Sequence, residues 1–274
     1  MTETISSAAN PLVKRMRLLA DRRHRRREGA FVVEGGQPVW RAIEAGWEIE
    51  ALVVAPELIG GPAAEMVAEQ EARGTRVARL SRELFVRLSD RDGPSGLAAI
   101  VRGSVAGLET LAVGPESLFV ALHDIGNPGN LGTVVRTADA VGASGVVLVG
   151  DTTDPFAPAA VKASMGSIFA VDVVHAPDLD AFFAWAEGRG VRVLATSGRA
   201  EAAHWDSDYS TPAAVLMGSE GDGLPEGALG RADARVRIAM TGTAESLNLA
   251  VATGVLLYEA RRHAVASAGD RDGH

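Results

Sequence analysis

The sequence predicts an α/β protein of two domains. Three observations carry that expectation. Strand-like and helix-like segments alternate over roughly the first 100 residues. A stretch rich in Gly, Ser and Pro, from Gly103 to Pro115, then breaks the pattern. A second alternation opens on Ser117-Leu118-Phe119-Val120-Ala121-Leu122, a continuous apolar run suited to a strand buried on both faces. The 274 residues are 47% hydrophobic and 23% charged, the composition of a folded globular chain.

In the first half, Phe31 to Gly35 reads as a strand ending in glycine. Gln37 to Ala45 is helical in pattern, with Gly46 as its stop. Ile49 to Val54 reads as a strand, Ala63 to Arg73 as a helix stopped by Gly74, and Val77 to Leu80 as a short strand. Ser81 caps a helix carrying Leu84, Phe85 and Leu88, and Leu97 to Val101 closes this half as a strand. In the second half, helix Leu131 to Val141 leads to strand Val146 to Val149 and a further strand near Phe169 to Val174. Helix Leu179 to Glu187 precedes strands Val191 to Ala195, Ala213 to Met217 and Ala234 to Ile238, and a last helix runs from Ser246 to His263. The expected boundaries are a first domain at 1–102, a linker at 103–115, a second domain at 116–263 and a polar, frayed tail at 264–274.

Charge is spread unevenly. The whole chain carries −8, which on its face argues against a nucleic-acid partner. From Pro11 to Arg27, however, Lys14, Arg15, Arg17, Arg22, Arg23, Arg25, Arg26 and Arg27 face a single acid, Asp21, for a local charge of +7. The remainder is therefore −15. Leu12, Met16, Leu19 and Ala20 recur at helical spacing, so the segment reads as one amphipathic helix with an arginine outer face. Like charges at that spacing repel without a partner, and phosphate suits the guanidinium fork.

With no cysteine, disulfide scaffolds, thiol nucleophiles, thiolate zinc sites and cysteine-ligated clusters are excluded. The six histidines, at 24, 123, 175, 204, 263 and 274, show no ligand spacing, so no metal is expected. A secretory leader pattern is absent from Met1 to Pro11, and no apolar run approaches the ~20 residues of a membrane span. The expectation is a cytoplasmic protein with no membrane partner.

Three loops carry the polar chemistry. The first, His123-Asp124-Ile125-Gly126-Asn127-Pro128-Gly129-Asn130-Leu131-Gly132, leads to Arg136 and joins a buried strand to a helix, where open α/β sheets bind ligands. Asn130 is a candidate cap for that helix. It lacks Gly-Lys-Ser/Thr, and no Gly-x-Gly-x-x-Gly occurs, which disfavours a P-loop and a dinucleotide oxidoreductase. Gly218-Ser219-Glu220-Gly221-Asp222-Gly223-Leu224 follows another buried strand and surrounds one carboxylate with glycines. The third loop, Ile238-Ala239-Met240-Thr241-Gly242, leads to Glu245-Ser246-Leu247-Asn248-Leu249-Ala250-Val251-Ala252, with Ser246 a plausible N-cap and Asn248 in the first helical turn.

In order, these loops resemble the three motifs of the SpoU/TrmH family of RNA 2′-O-ribose methyltransferases. The stretch from Ser7-Ala8-Ala9-Asn10-Pro11 through Phe31-Val32-Val33-Glu34-Gly35 is similar to that family's amino-terminal substrate-binding domain of L30e type, so the resemblance spans about Ile5 to Arg262. It implies an L30e-like α/β domain followed by a SPOUT α/β domain with a carboxyl-terminal trefoil knot, an exception to the usual rule against knots. It further implies homodimerisation, S-adenosylmethionine as cofactor, and structured RNA, chiefly ribosomal RNA, as partner.

Carried over to this chain, the family's catalytic set is Asn130, Arg136, Glu220, Ser246 and Asn248. Backbone at Gly218, Ile238 and Leu247 holds the cofactor, with Thr196, Gly198 and Met240 nearby. Lys14, Arg15, Arg22, Arg23, Arg25, Arg26 and Arg27 are the RNA-binding candidates. Ala239 departs from the family, which usually has proline there. A guanidinium does not readily release its proton, so Arg136 is expected to bind phosphate or the developing alkoxide rather than act as a literal base. Glu220 is expected to shape its loop and is a candidate to assist proton removal. Transfer RNA as substrate, and a non-catalytic RNA-binding or ribosome-assembly protein of the same fold, stand as alternatives.

Overall fold

The structure, a computed structural model, describes residues 4–89 and 92–269. In chain order its elements are α1 (Pro11–Leu18), α2 (Arg22–Glu28), β1 (Ala30–Glu34), α3 (Gly36–Glu44), β2 (Ile49–Val54), α4 (Pro62–Ala72), β3 (Val77–Arg79), α5 (Arg82–Leu88) and β4 (Leu97–Arg102). There follow β5 (Ala106–Gly107), β6 (Leu118–His123), α6 (Pro128–Ala140), β7 (Gly145–Val149), α7 (Pro158–Ser164), β8 (Val173–Ala176), α8 (Leu179–Arg189) and β9 (Arg192–Thr196). The chain continues through β10 (Ala202–Ala203), β11 (Ala213–Met217), α9 (Glu226–Arg231), β12 (Ala234–Arg237) and α10 (Leu249–Gly269). Two compact units form. One takes the described chain up to Ser104 together with Phe156–Ala170; the other takes Val105–Pro155 and the chain from Val171 onward.

The first unit is a four-stranded sheet in the order β1-β4-β2-β3, antiparallel except for β2 with β3. Alternation along β1 serves two layers. Ala30 joins Leu12, Val13, Met16, Leu19, Val53 and Ile100 in one core, while Phe31 points to the other face. There Phe31 stacks on Phe156 at 4.2 Å between centroids, and the edge of Trp47 meets Phe156 and Phe169. Phe156–Ala170 thus leaves the chain between β7 and β8 to complete this unit's aromatic core, a role with no local signal in the sequence.

The single basic helix expected over Pro11 to Arg27 is instead two. Asn10 caps α1, its side chain accepting from Leu12 N at 2.9 Å, and Asp21 caps α2, accepting from His24 N at 3.2 Å. Arg25 sits 5% exposed and donates through Nη1 to the carbonyls of Leu19 (2.9 Å) and Ala20 (2.6 Å). These carbonyls follow the end of α1, so the buried guanidinium stabilises the break.

The second unit holds an eight-stranded sheet, β10-β12-β9-β11-β6-β7-β8-β5, with every pairing parallel. Its central strands β6, β7 and β11 are apolar and buried on both faces, as parallel strands covered by helices must be. α8 and α9 bury Phe182, Phe183, Ala186, Ala228 and Leu229 against Phe119, Ala121, Val193, Ala195 and Leu216. On the other face α6 and α10 pack together over β6, β7 and β11.

Several boundaries differ from expectation. The stretch at 103–115 is no free linker: it forms β5, pairs with β8, and buries Leu108 and Leu111 in the second core. Phe169 lies in a 3-10 turn, and the strand there is Val173–Ala176. α10 begins at Leu249 rather than Ser246 and runs on to Gly269; residues 270–274 of the expected frayed tail lie outside the described residues. α7 and α9 are short helices that weak periodicity hides. Among the described residues no helix is long and apolar enough to cross a membrane.

The aromatic stack generates a stability prediction. Phe156→Ala should lower the unfolding free energy by about 3 kcal/mol in chemical denaturation, the usual cost of an aromatic cavity. A loss below about 1 kcal/mol would mean that Phe156–Ala170 contributes little to the first unit's core.

Candidate active site

The parallel sheet creates the site. From β6 the chain passes through α6 on one face, and from β11 through α9 on the other. The crevice between the carboxyl ends of these adjacent strands is a topological switch point, where ligands bind in such sheets. The first two motif loops leave from those strand ends.

In the first loop, the α6 cap is Asn127, not Asn130. Asn127 Oδ1 accepts from Gly129 N (2.8 Å) and Asn130 N (3.1 Å), and Pro128 opens the helix. The Asn-Pro dipeptide was the available signal, since proline favours the first helical position after a capping residue. Relieved of capping, the Asn130 side chain turns to other loops. Its Nδ2 donates to Glu220 Oε1 at 3.1 Å, and its Oδ1 accepts from Asn248 Nδ2 at 3.0 Å.

The second loop folds back on itself. Ser219 and Gly223 exchange backbone hydrogen bonds of 3.3 and 3.2 Å. A Cβ on Gly218 would lie 2.2 Å from the carbonyl carbon of Gly223 and 2.4 Å from Leu224 N, so only glycine allows this closure. Gly223 adds a φ of +69°. The tight turn presents Glu220 to the first loop, where Gly126 N also lies 3.5 Å from Oε2.

In the third loop, Asn248 caps α10: its Oδ1 accepts from Ala250 N (2.9 Å) and Val251 N (3.3 Å). Ser246, expected in that role, is exposed and makes no side-chain hydrogen bond among the described residues. Burial pushes the Glu220 carboxyl up, but hydrogen bonds from Asn130 and from the backbone outweigh it, holding the group below the ordinary glutamate range. Arg136 is exposed on α6 and makes no ion pair or hydrogen bond among the described residues. The structure therefore joins Asn130, Glu220 and Asn248 directly, and leaves Arg136 and Ser246 outside that contact.

The expected cofactor residues cluster by element. Thr196 ends β9 and donates to Leu216 O at 3.1 Å, which ties that loop to the base of the Glu220 turn. Gly198 follows in the next turn, and Ile238 follows β12 half-buried. Met240 and Leu247 expose apolar side chains, at 37% and 38%. A separate cleft of about 520 Å³ lies on the α8 and α9 side, bordered by Asp124, Gly150, Asp178 and Arg231. Arg231 there pairs with Asp180 and lies 4.4 Å over the Phe183 ring, and the cleft includes none of the expected catalytic or cofactor residues.

In the first unit the basic residues divide. Lys14, Arg23, Arg26 and Arg27 are exposed, and Arg22 is half-buried. Arg15 is committed to Glu28 and Glu50, whose hydrogen bonds raise its pKa further. Arg25 is committed to the Leu19 and Ala20 carbonyls just after α1, so Arg15 and Arg25 are structural in this fold.

The sequence model of the SpoU rRNA Methylase family matches residues 117–258, and that of the MRM3-like substrate binding domain matches 10–99. A 23S rRNA (uridine(2479)-2′-O)-methyltransferase from Streptomyces viridochromogenes is 30% identical over 256 residues, covering 90% of this chain and 88% of that protein. The chain belongs to the SpoU rRNA methylase family. Another relative is RlmP of Bacillus subtilis, a 23S rRNA (guanosine(2553)-2′-O)-methyltransferase, 30% identical over 94% of this chain and 98% of that one. An AdoMet-bound rRNA methyltransferase from Sinorhizobium meliloti has the same two-domain α/β fold, with a TM-score of 0.87 at 39% identity, covering 96% of this chain and 98% of that chain. In this SpoU family member, all three motif loops fall within the matched region 117–258.

The lowered Glu220 carboxyl gives a pH prediction. Its contact with Asn130 stabilises the loops fully above the ordinary carboxylate range and loses that contribution as pH falls through the lowered folded value. Side-chain NMR should place the Glu220 midpoint below that of a free glutamate, about 4.3. In Asn130→Ala the midpoint should rise; an unmoved midpoint would show that Asn130 does not hold the charge.

Proposed function

We propose that this protein methylates a ribose 2′-hydroxyl of ribosomal RNA, with S-adenosylmethionine as donor. The observation that carries the reading is the hydrogen-bonded run from Glu220 through Asn130 to Asn248, which gathers three family motifs at the sheet's switch point. The names of the rRNA-modifying relatives support the substrate.

The cofactor fits the loops around Gly218. The missing Cβ lets the turn close on Gly223 and shape that loop, and Ile238, Met240 and Leu247 offer apolar surface for an adenine ring. Gly218, Ile238 and Leu247 hold it through backbone, with Thr196 and Gly198 at the rim. Bound there, S-adenosylmethionine supplies an electrophilic methyl group, so the protein needs neither thiolate nor metal. Membership of the family carries the reading that the carboxyl-terminal chain forms a trefoil knot.

Arg136 keeps its proton and binds the RNA phosphate or the alkoxide that develops on the 2′-oxygen. Asn130, Asn248 and Ser246 orient the ribose. Glu220, held ionised by its donors, anchors the loops; its low proton affinity makes it a weak base. Residues 1–102 form the RNA-binding domain, with Lys14, Arg22, Arg23, Arg26 and Arg27 on the phosphates, and 116–263 form the methyltransferase domain. Leu247 just before α10 and Val251 and Tyr258 on it, 38%, 54% and 58% exposed, mark an apolar stretch that a second copy covers in a homodimer. A substrate of this kind places the protein in the cytoplasm.

Two measurements test this. With radiolabelled cofactor and 23S rRNA, wild-type protein should label a single 2′-oxygen, and Arg136→Lys should lose about 100-fold in kcat, since it keeps charge but loses the fork. Equal rates would remove the bidentate role. Changing Arg23, Arg26 and Arg27 to Glu should weaken RNA binding and flatten its log-log salt slope by about 2. Unchanged affinity at low and high salt would place the RNA elsewhere.

A further inference from the structure

Asp124 is one of two non-glycine residues in the left-handed region among those described, with φ of 49°. It stands where β6 ends and the first loop begins. Aspartate tolerates this conformation better than most residues but still at a cost, and such cost persists where surrounding bonds enforce it. Here they do. Asp124 N donates to Val149 O at 3.0 Å, extending the β6–β7 pairing by one residue. The chain then turns, and Asp124 Oδ1 accepts from Asp151 N at 2.9 Å. Its Oδ2 lies 3.2 Å from His123 Nε2. One residue on, buried Ile125 accepts from Thr153 N at 2.8 Å.

Two consecutive residues therefore fasten the first loop to the segment after β7. The next residue, Gly126, is the one that approaches Glu220, four residues before Asn130 donates to it. The left-handed turn sets the direction of that approach. Gly150 completes the arrangement: a Cβ there would fall 2.3 Å from Asp124 Oδ1, and its own φ is +78°.

We propose that Asp124 is a positioning residue for methyl transfer. Its backbone turns the first loop toward Glu220, and its carboxylate fixes that turn on the Asp151 amide. The role rests on the methyltransferase reading above. It is distinct from the residues of the three loops' mutual contact, because Asp124 touches none of Glu220, Asn130 or Asn248.

Asp124→Gly relaxes the backbone and removes the clamp; Asp124→Asn keeps an acceptor and a residue at ease in the left-handed region. The glycine variant should bind S-adenosylmethionine within about twofold of wild type. Its kcat on 23S rRNA should fall about 10- to 100-fold, the penalty of a displaced catalytic loop. The asparagine variant should restore kcat to within about twofold. Gly150→Ala, which displaces the carboxylate from the other side, should reproduce the glycine variant's loss and decides the matter if Asp124→Gly does not fold.

Amide hydrogen exchange over 124–130 gives a readout that needs no turnover: it should quicken in Asp124→Gly and Gly150→Ala and stay slow in Asp124→Asn. Wild-type kcat and slow exchange in a folded Asp124→Gly, or in Gly150→Ala where that variant does not fold, would overturn the role of Asp124. A wild-type protein without methyl transfer would fail the methyltransferase reading instead, and the exchange pattern alone would then decide for or against the clamp.

Discussion

The meeting of the three motif loops hangs on one carboxylate. Glu220 receives Asn130 Nδ2 across 90 residues of sequence, and Asn130 receives Asn248 across a further 118. The run is directional. Each amide donates a hydrogen bond from its nitrogen and accepts one at its oxygen, ending where Asn248 Oδ1 caps α10. A carboxylate in place of Asn130 would repel Glu220, and an aliphatic residue would take one hydrogen bond from each neighbour. The two asparagines and the glutamate thus complement one another chemically, although they lie far apart in the sequence.

Sheet topology makes that meeting possible. Parallel strands send all their carboxyl ends to one edge, and α6 and α9 depart to opposite faces, leaving an opening between β6 and β11. Gly218 then does for the backbone what the asparagines do for the side chains. Its missing Cβ lets the turn close on Gly223 and hold Glu220 forward. In the second unit, the described non-glycine residue held in the left-handed region is Asp124, outside the relay but directly upstream of it.

Much of this was legible in the amino-acid string. Continuous apolar runs marked β6, β7 and β11, because strands buried on both faces tolerate no polar alternation. The three motifs were legible because each carries residues with little other reason to be there. What escaped reading was partner choice. Arg25 and Arg15 look like their exposed neighbours in sequence, yet one closes a helix end and the other answers Glu28 and Glu50. Asn127 and Asn130 are equivalent by type, and only the helix start, fixed by Pro128, decides which caps and which reaches across. Phe156 and Phe169 find their partners more than 100 residues upstream, where no local pattern can announce them.

That last pairing bears on how such proteins diversify. The peptide chain passes between the two units three times, at Ser104, Pro155 and Ala170, rather than once. Recombination at a single junction could not exchange the amino-terminal half cleanly, because a newcomer would need its own aromatic complement already encoded between β7 and β8. The amino-terminal half and that short downstream stretch form one compact unit encoded in two separate pieces. A change of shape at Phe31 must therefore be answered at Phe156 and Phe169, in the other piece.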